Sequence, residues 1–374
     1  MNNLQKLAEL GQSIWYDNIS RGVIKKGELK KMVDEGLLGV TSNPTIFDKA
    51  ISGSSDYDDQ IRQVVESNRN VDAGAIIQAL MVKDIQMACD VLRPVYDRSK
   101  GGDGYVSIEV TPNKARDTKA TSEEVRELWS KVNRPNLMVK IPATKEGLPA
   151  IEQAIYEGKN INVTLIFSVD RYREVADAYI KGIERRVKEG KPVDSVRSVA
   201  SVFVSRIDTL VDDLLAKKDA NKNKPLMGKA AVANTKMIYK AFTEIFFTPR
   251  FDAVKAKGAA VQRPLWGSTG TKNPSYSDLL YVDTLIGPHT VNTVPPATYK
   301  AILDHCKPGL TVESDISGAE TVLKNVAAAG VDMKWVLQKL EEDGVASFEK
   351  SFDGLYKNLD EKKGQFLGTP VPTS

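Results

Sequence analysis

Lys140 sits in the segment NLMVKIPATKEG (136–147), where Leu137, Met138, Val139 and Ile141 read as a buried strand. Lysine is almost never fully buried unless something compensates for it. Burial and neighbouring cations disfavour an ammonium ion. An amine freed of its proton can attack a carbonyl and form a Schiff base. The plainer alternative is an inert buried ion pair between Lys140 and Asp17 or Glu109. The segment by itself leaves both open.

Other polar residues fall into step with this lysine. Residues two apart on a strand share a face. Six segments place such residues together: Ser13, Trp15 and Asp17; Thr41 and Asn43; Ser107 and Glu109; Met138 and Lys140; Asn162 and Thr164; Ser201 and Phe203. Their neighbours of opposite parity, such as Val40, Ile108, Val139 and Val163, are apolar. In a parallel barrel the apolar parity packs on helices, so the polar parity points inward, near the C-terminal rim where barrel active sites are built. One such Asn or Thr would be an ordinary satisfied core group. Six sets at matching heights all need partners, and that convergence favours a site. Its chemistry would be covalent capture by lysine, with the carboxylates moving protons.

The elements that must position these residues can be read from β-branched runs. In order they are SIWYD (13–17), LGVTSN (38–43), YVSIEV (105–110), LMVKIP (137–142), INVTLIF (161–167), VASVFVS (199–205), PLWGS (264–268) and TVNTV (290–294). Between them lie stretches such as AGAIIQALMVKDIQMACDVL, whose apolar residues recur every three or four positions. Strands alternating with helices, and mostly apolar on both faces, predict a parallel sheet covered by helices. Eight strands close a (β/α)8 TIM barrel of about 250 residues. The chain has 374 residues. The surplus falls between strands two and three, between strands six and seven, and after residue 296. We therefore expect a single barrel domain over 1–374 with extra helices, including a helical C-terminal extension from about 309 to 374. The segment KKDANKNKPLMGK (217–229) reads as a solvated loop. Trp15, Phe203 and Trp266 fit either the core or a sugar-facing wall.

Composition narrows the chemistry. Hydrophobic content of 41% and charged content of 27% are those of a globular protein, and a net charge of +3 gives no reason to expect nucleic acid or a membrane surface as partner. No apolar run approaches the roughly 20 residues of a membrane-spanning helix, and no secretory signal is evident at the N-terminus. Cys89 and Cys306 lie in unrelated segments, which suits a reduced, cytoplasmic protein with inert thiols. His289 and His305 are the only histidines and show no metal-ligand spacing. Metal-dependent and Ser–His–Asp chemistries are disfavoured. GSTGTK (267–272) lacks the GxxxxGK[ST] spacing of a phosphate loop.

At this point the residues match a known pattern. LGVTSNPTIFDKAI (38–51) and NLMVKIPATKEGLPAI (136–151) closely resemble the two signature segments of the transaldolases, in the expected order. The resemblance runs from WYDNISR to TVNTVPPAT, and RPLWGSTGTKNPSYSDLLYV (263–282) is similar to the longer bacterial subgroup. It implies a transferase of the non-oxidative pentose phosphate pathway. A dihydroxyacetone unit would pass from sedoheptulose 7-phosphate to glyceraldehyde 3-phosphate, giving erythrose 4-phosphate and fructose 6-phosphate, with no metal or organic cofactor. By the same resemblance Lys140 is the Schiff-base lysine and Asp17 takes the proton of the sugar C4 hydroxyl. Glu109 and Thr164 hold a catalytic water. Thr41, Asn43, Asn162 and Phe203 join the substrate-binding set, and Ser201, Arg206 and Ser268 belong to its phosphate end.

One position departs from the pattern. Short-type transaldolases carry an arginine two residues after the serine that aligns with Ser268, and here that position is Gly270. Lys272 is the expected substitute, with the backbone N–H groups of Ser268 to Gly270 as an anion nest. Two other functions compete. A fructose 6-phosphate aldolase would release dihydroxyacetone, but that group typically shows Gln and Tyr where this chain has Glu109 and Phe203. A non-catalytic sugar-phosphate sensor would not need Asp17, Glu109, Lys140 and Thr164 together. The expected partners are small sugar phosphates, and a homodimer is left open by the helical tail.

Overall fold

The computed structural model describes residues 1–367. Helix α1 (Asn3–Glu9) precedes strand β1 (Gln12–Tyr16), and α2 (Arg21–Lys25) and α3 (Glu28–Glu35) lead to β2 (Gly39–Val40). The first wide gap holds α4 (Pro44–Ser52), α5 (Asp58–Ser67) and α6 (Ala73–Arg98). Then β3 (Tyr105–Glu109), α7 (Thr118–Val132), β4 (Leu137–Pro142), α8 (Gly147–Tyr156), β5 (Ile161–Ile166), α9 (Val169–Lys188) and β6 (Ser198–Phe203) alternate. The second gap holds α10 (Ser205–Asn223), α11 (Ala230–Phe246) and α12 (Pro249–Lys255) before β7 (Arg263–Gly267). The short α13 (Leu280–Asp283) precedes β8 (Thr290–Val294), and α14 (Pro296–His305), α15 (Ile316–Ala328) and α16 (Met333–Phe366) follow.

The strands pair in parallel, each with its neighbours in sequence, and β8 returns to β1. This closed eight-stranded barrel is the expected (β/α)8 architecture. The outward residues Val40, Val106, Ile108, Val139 and Val163 are buried under the helices. Inside, Trp15, Tyr105, Met138, Val199, Leu265 and Val291 form a separate apolar floor. Gly39 makes room for it, since a Cβ there would come within 2.5 Å of the Trp15 indole.

Several strands end earlier than the β-branched runs suggest. Asp17, Thr41, Asn43 and Ser268 lie beyond the last paired residues, in the loops of the C-terminal rim. The LGVTSN run shortens most, to Gly39–Val40. Pro44 cannot continue a strand ladder, and Asn43 instead caps α4, its side chain accepting the Ile46 N–H at 2.9 Å. Two members of the expected polar rim face the other end. Ser13 and Trp15 donate to Asp103 at 2.8 and 3.1 Å, and Arg263 completes that cluster at the N-terminal end of the barrel. The segment 217–229 is not simply a loop. Helix α10 continues through it to Asn223, across a kink at Asp219 whose backbone is extended; its lysines are exposed, but Asn223 is buried and donates to the Leu215 carbonyl at 3.0 Å. Trp15 and Trp266 are core, while Phe203 is both core and cavity wall.

Within the C-terminal extension, α15 packs on α11 and the last helix lies across the mouth of the barrel. Helix α16 packs on α4, α5, α6, α10 and the end of β5. Arg171 and Glu341 pair at 3.2 Å, Thr45 and Ser351 hydroxyls meet at 2.8 Å, and Lys362 reaches Asp58 at 2.7 Å. Gly344 lets this helix approach β5: a Cβ there would lie 2.9 Å from Leu165 Cδ2. Residues 368–374 of the expected extension lie outside the described residues.

Candidate functional site

Beneath α16 lies a cavity of about 300 Å³. The C-terminal ends of β1, β2, β4, β6, β7 and β8, with the segments that follow them, supply most of its wall, which puts Asp17, Thr41, Asn43, Lys140, Ser201, Phe203, Arg206, Ser268 and Lys272 around one space. That brings together nine of the twelve residues singled out from the sequence. Glu109, Asn162 and Thr164 are not on this wall. They stand behind it, and Glu109 lines a second cavity of about 390 Å³ between α6, α7 and α16.

Ladder register sets the innermost group. Glu109 pairs across from Lys140, and Lys140 across from Asn162, so their side chains share one interior layer. The Lys140 side chain is 5% exposed and that of Glu109 is 2% exposed, with Nζ 3.2 Å from Glu109 Oε2. Nζ also donates to the Ser42 carbonyl at 3.0 Å. Both contacts are acceptors, and the one to Glu109 is an ion pair of the kind the sequence left open. The carboxylate, unlike the carbonyl, offers the lysine proton somewhere to go. Burial pushes the Glu109 carboxyl above its ordinary value, Lys140 pulls it back, and Asp17 pushes it up further.

Asp17 follows β1 and is held from several sides. Its N–H donates to the Val294 carbonyl at 2.9 Å, and Thr41 Oγ1 donates to its Oδ1 at 2.9 Å. Burial raises its pKa, with Lys140, the Thr41 hydroxyl and Lys272 opposing. A raised value makes it a stronger base than an ordinary aspartate. Four residues on, Arg21 is anchored by Asp84 at 2.8 Å, Tyr57 donates to the same carboxylate at 2.7 Å, and the Tyr57 hydroxyl accepts the Arg21 N–H at 3.0 Å. This buried triad fixes the segment that follows Asp17.

Asn162 organises the interior. It accepts the Ser201 hydroxyl at 2.7 Å and donates to the Ser107 hydroxyl at 3.0 Å. Ser201 thus touches both the cavity and this chain. Among the described residues, both Glu109 carboxylate oxygens and Thr164 Oγ1 are buried with no hydrogen-bond partner, as are single atoms of Gln12, Asn136, Tyr172 and Gln262. Buried polar atoms of this kind are what a bound water or substrate oxygen satisfies. Thr164 stands at an irregularity in β5, where the register to β6 shifts and Leu165 takes a left-handed φ of 61°. Such bulges re-aim side chains beside functional sites.

The other end of the cavity is cationic. Arg206 lies 5.3 Å over the Phe203 ring, and burial lowers its pKa while Asp343 opposes. Ser268 adopts a left-handed φ of 54°, and its hydroxyl meets that of Ser205 at 3.0 Å. Gly270 faces Pro295 so closely that a Cβ would fall 2.9 Å from the ring Cγ. An arginine at 270 would have to displace that ring. Lys272 does line the cavity, from an exposed position.

Sequence reasoning missed Lys49, Thr45, Ile46, Thr293, Ser347 and Phe348, all of which line the same space. Thr45, Ile46 and Lys49 had a legible signal, since their spacing puts them on one face of a helix beginning at Pro44. Ser347 and Phe348 come from α16, and Phe348 packs edge-on against Phe203 with ring centroids 6.5 Å apart. Nothing in their local sequence announces that contact.

Among the described residues, no group of three or more His, Cys, Asp or Glu side chains is placed to hold a metal ion, and no helix is long and apolar enough to cross a membrane. Both cysteines are buried and unpaired by disulfide, and burial raises the pKa of each thiol.

Comparison with known proteins bears on the whole chain. The model of a family described as "Transaldolase/Fructose-6-phosphate aldolase" matches residues 14–359. The chain is 45% identical to "Transaldolase 2" of Nostoc punctiforme, over 96% of this chain and 97% of that protein. It is 45% identical to a protein named "Transaldolase" in Trichodesmium erythraeum, over 99% of each. A protein named "Transaldolase" in Acidothermus cellulolyticus is 48% identical over 94% of each.

Proposed function

The chain belongs to the transaldolase/fructose-6-phosphate aldolase family, and from that premise we propose that it transfers a dihydroxyacetone unit between sugar phosphates through an imine on Lys140. The observation that carries this reading is the nearly dry Lys140 amine in a cavity wall shared with Asp17.

The steps follow from the arrangement. Glu109 takes a proton from Lys140, and Nζ adds to the C2 carbonyl of sedoheptulose 7-phosphate. The carbinolamine loses water to give a protonated imine, with a Glu109- and Thr164-held water carrying the protons. Asp17 removes the C4 hydroxyl proton. The C3–C4 bonding pair then moves into the iminium, giving an enamine and free erythrose 4-phosphate. Attack of the enamine carbon on the aldehyde of glyceraldehyde 3-phosphate forms the new bond, and Asp17 returns its proton to the new hydroxyl. Water adds to the imine, and fructose 6-phosphate leaves with Lys140 regenerated. The lysine supplies the electron sink, and the carboxylates supply the proton transfers.

Arg206, Ser268, Lys272 and Lys49 gather positive charge and hydroxyls at the end where a sugar phosphate would be anchored. Binding energy from that remote group can be used to orient the reacting carbons. Thr41, Asn43 and Phe203 are assigned to the sugar chain between the two ends, Asn162 to the same task from behind the wall, and Ser201 to the phosphate end with Arg206. All these groups come from one chain, so the activity is proposed of a single subunit, with a homodimer compatible with it. The reduced cytoplasm, where free thiols persist, is the proposed location.

Borohydride reduction in the presence of fructose 6-phosphate tests the central step. It should attach a three-carbon unit to the peptide containing Lys140, and Lys140→Met should abolish turnover. Full activity in that variant would overturn the proposal. The family description covers both transfer and aldol cleavage, so a second assay separates them: a lyase consumes fructose 6-phosphate without an acceptor aldehyde, whereas a transferase stalls after one turnover.

A further inference from the structure

The loop between β7 and α13 carries Ser268, Gly270 and Lys272 to the cavity. It lacks the arginine that would grip a phosphate by itself. Behind it, on α10, Asp208 and Asp212 stand one helical turn apart and face the same way. Asp208 accepts the Tyr281 hydroxyl at 2.8 Å and the Ala231 N–H at 2.7 Å. Asp212 accepts the Tyr276 hydroxyl at 2.6 Å and the Gly228 N–H at 2.9 Å. Tyr276 and Tyr281 both lie on the chain that continues from the Ser268–Lys272 loop. The Tyr276 ring rests on Gly228, which has a φ of 70° and where a Cβ would come within 2.7 Å of the ring.

A second route returns to the same loop. The Tyr281 carbonyl accepts Asn292 Nδ2 at 3.2 Å, and Asn292 Oδ1 accepts the Thr269 hydroxyl at 2.8 Å. Thr269 also donates to the Thr293 carbonyl at 2.9 Å. The loop is thus fastened to α10, which begins with Ser205 and Arg206, and to β8, which contributes Thr293.

Like charges at this spacing repel, and burying them costs stability unless their bonds are well formed. Apolar side chains would fill the same interface without that cost. What the carboxylate–phenol joints add is direction: each admits a narrow range of positions for its partner. We infer that Asp208 with Tyr281, and Asp212 with Tyr276, are positioning residues for phosphate recognition, holding the Ser268–Lys272 wall at a set distance from Arg206. A wall held in place in this way can present one serine, backbone N–H groups and a lysine to a phosphate without an arginine at 270. This rests on the proposed reading of the cavity's cationic end.

The test compares acceptors. Imine transfer is a two-half-reaction scheme, so kcat/KM for the acceptor reports only the second half. With fructose 6-phosphate as donor, kcat/KM is measured for erythrose 4-phosphate and for unphosphorylated erythrose. Tyr281→Phe and Tyr276→Phe should each lower the value for erythrose 4-phosphate about tenfold, the scale of one lost hydrogen bond to a charged group. The value for erythrose should change less than about twofold, because no phosphate has to be held. Equal losses on both acceptors, or no loss on either, would overturn the inference. Tyr276 is the less buried of the two, so Tyr276→Phe serves if Tyr281→Phe does not fold. If the unaltered protein shows no preference for erythrose 4-phosphate over erythrose, the cationic end has been misread, and that result is separate from any effect of the variants.

Discussion

Replacing Lys140 by methionine should do more than stop imine formation; it should make stability depend on pH in a defined direction. Lys140 and Glu109 are both almost fully enclosed, 3.2 Å apart. Removing one partner of such a pair strands the other, at a cost of about 3–5 kcal/mol. The stranded carboxylate can escape by protonating. Burial and Asp17 already raise its pKa, and the Lys140 charge is the main influence that lowers it. In the variant the folded value therefore rises further above the unfolded value of about 4.3. A carboxyl raised in the folded state contributes its full stability below the unfolded value. It loses that contribution as pH climbs towards the folded value, at about 1.4 kcal/mol per pH unit. The penalty of Lys140→Met should thus be larger at pH 7 than at pH 5, by as much as about 2.7 kcal/mol. Urea unfolding of the variant and the unaltered protein at both pH values measures it. Adding Glu109→Gln should shrink the difference, leaving the part that comes from Asp17, whose buried carboxyl also loses the opposing charge of Lys140. A penalty independent of pH, or one that the second substitution leaves undiminished, would refute the electrostatic account of the pair.

Lys49→Met and Lys272→Met should each raise KM for fructose 6-phosphate about three- to tenfold with kcat little changed, the pattern of lost uniform binding; steady-state kinetics showing a fall in kcat alone would contradict their place at the phosphate end. Gly270→Arg should not restore the short-type phosphate grip but should destabilise the fold by about 1–3 kcal/mol through crowding of Pro295, and an unchanged melting temperature would count against it. Burial pushes the Asp208 carboxyl up to about 6, with the Ala231 N–H and Tyr281 hydroxyl lowering it and Asp212 raising it. Its contribution to stability is therefore complete below about pH 4 and lost as pH rises through 6, worth about 3 kcal/mol at most. Asp208→Asn should remove that decline from thermal melts recorded between pH 4 and 7, and an identical pH slope in the variant would rule the assignment out.

The barrel was legible because its signal is local and repeated. Each β-branched run became a strand, and LMVKIP and TVNTV matched their boundaries. The face of each side chain was legible too, since alternation is a property of the backbone. Its height along the barrel was not. Ser13 and Trp15 share a parity with Asp17 yet bind Asp103 at the opposite end, because parity repeats along a strand and says nothing of which end a residue is near. Rim positions were hard for a related reason: Asn43 left the strand to cap a helix, a competition that Pro44 decided. Lys140 was found through its conflict with apolar neighbours, and Glu109 was one of the two ion-pair partners left open for it; the Ser42 carbonyl, which comes from a loop on another strand, leaves no trace beside it. Phe348 met Phe203 from 145 positions further along the chain. Such long-range contacts are made by tertiary packing, which no window of sequence contains.

Helix α16 carries a consequence for biosynthesis. It follows all eight strands in the chain, so translation can supply a complete barrel before the roof over its mouth exists. During that interval the Lys140 amine, Asp17 and Arg206 are already in the nascent polypeptide, while Ser347 and Phe348 have yet to arrive. The reactive amine would then stand open to solvent and to stray aldehydes until Ser347 and Phe348 close over the cavity.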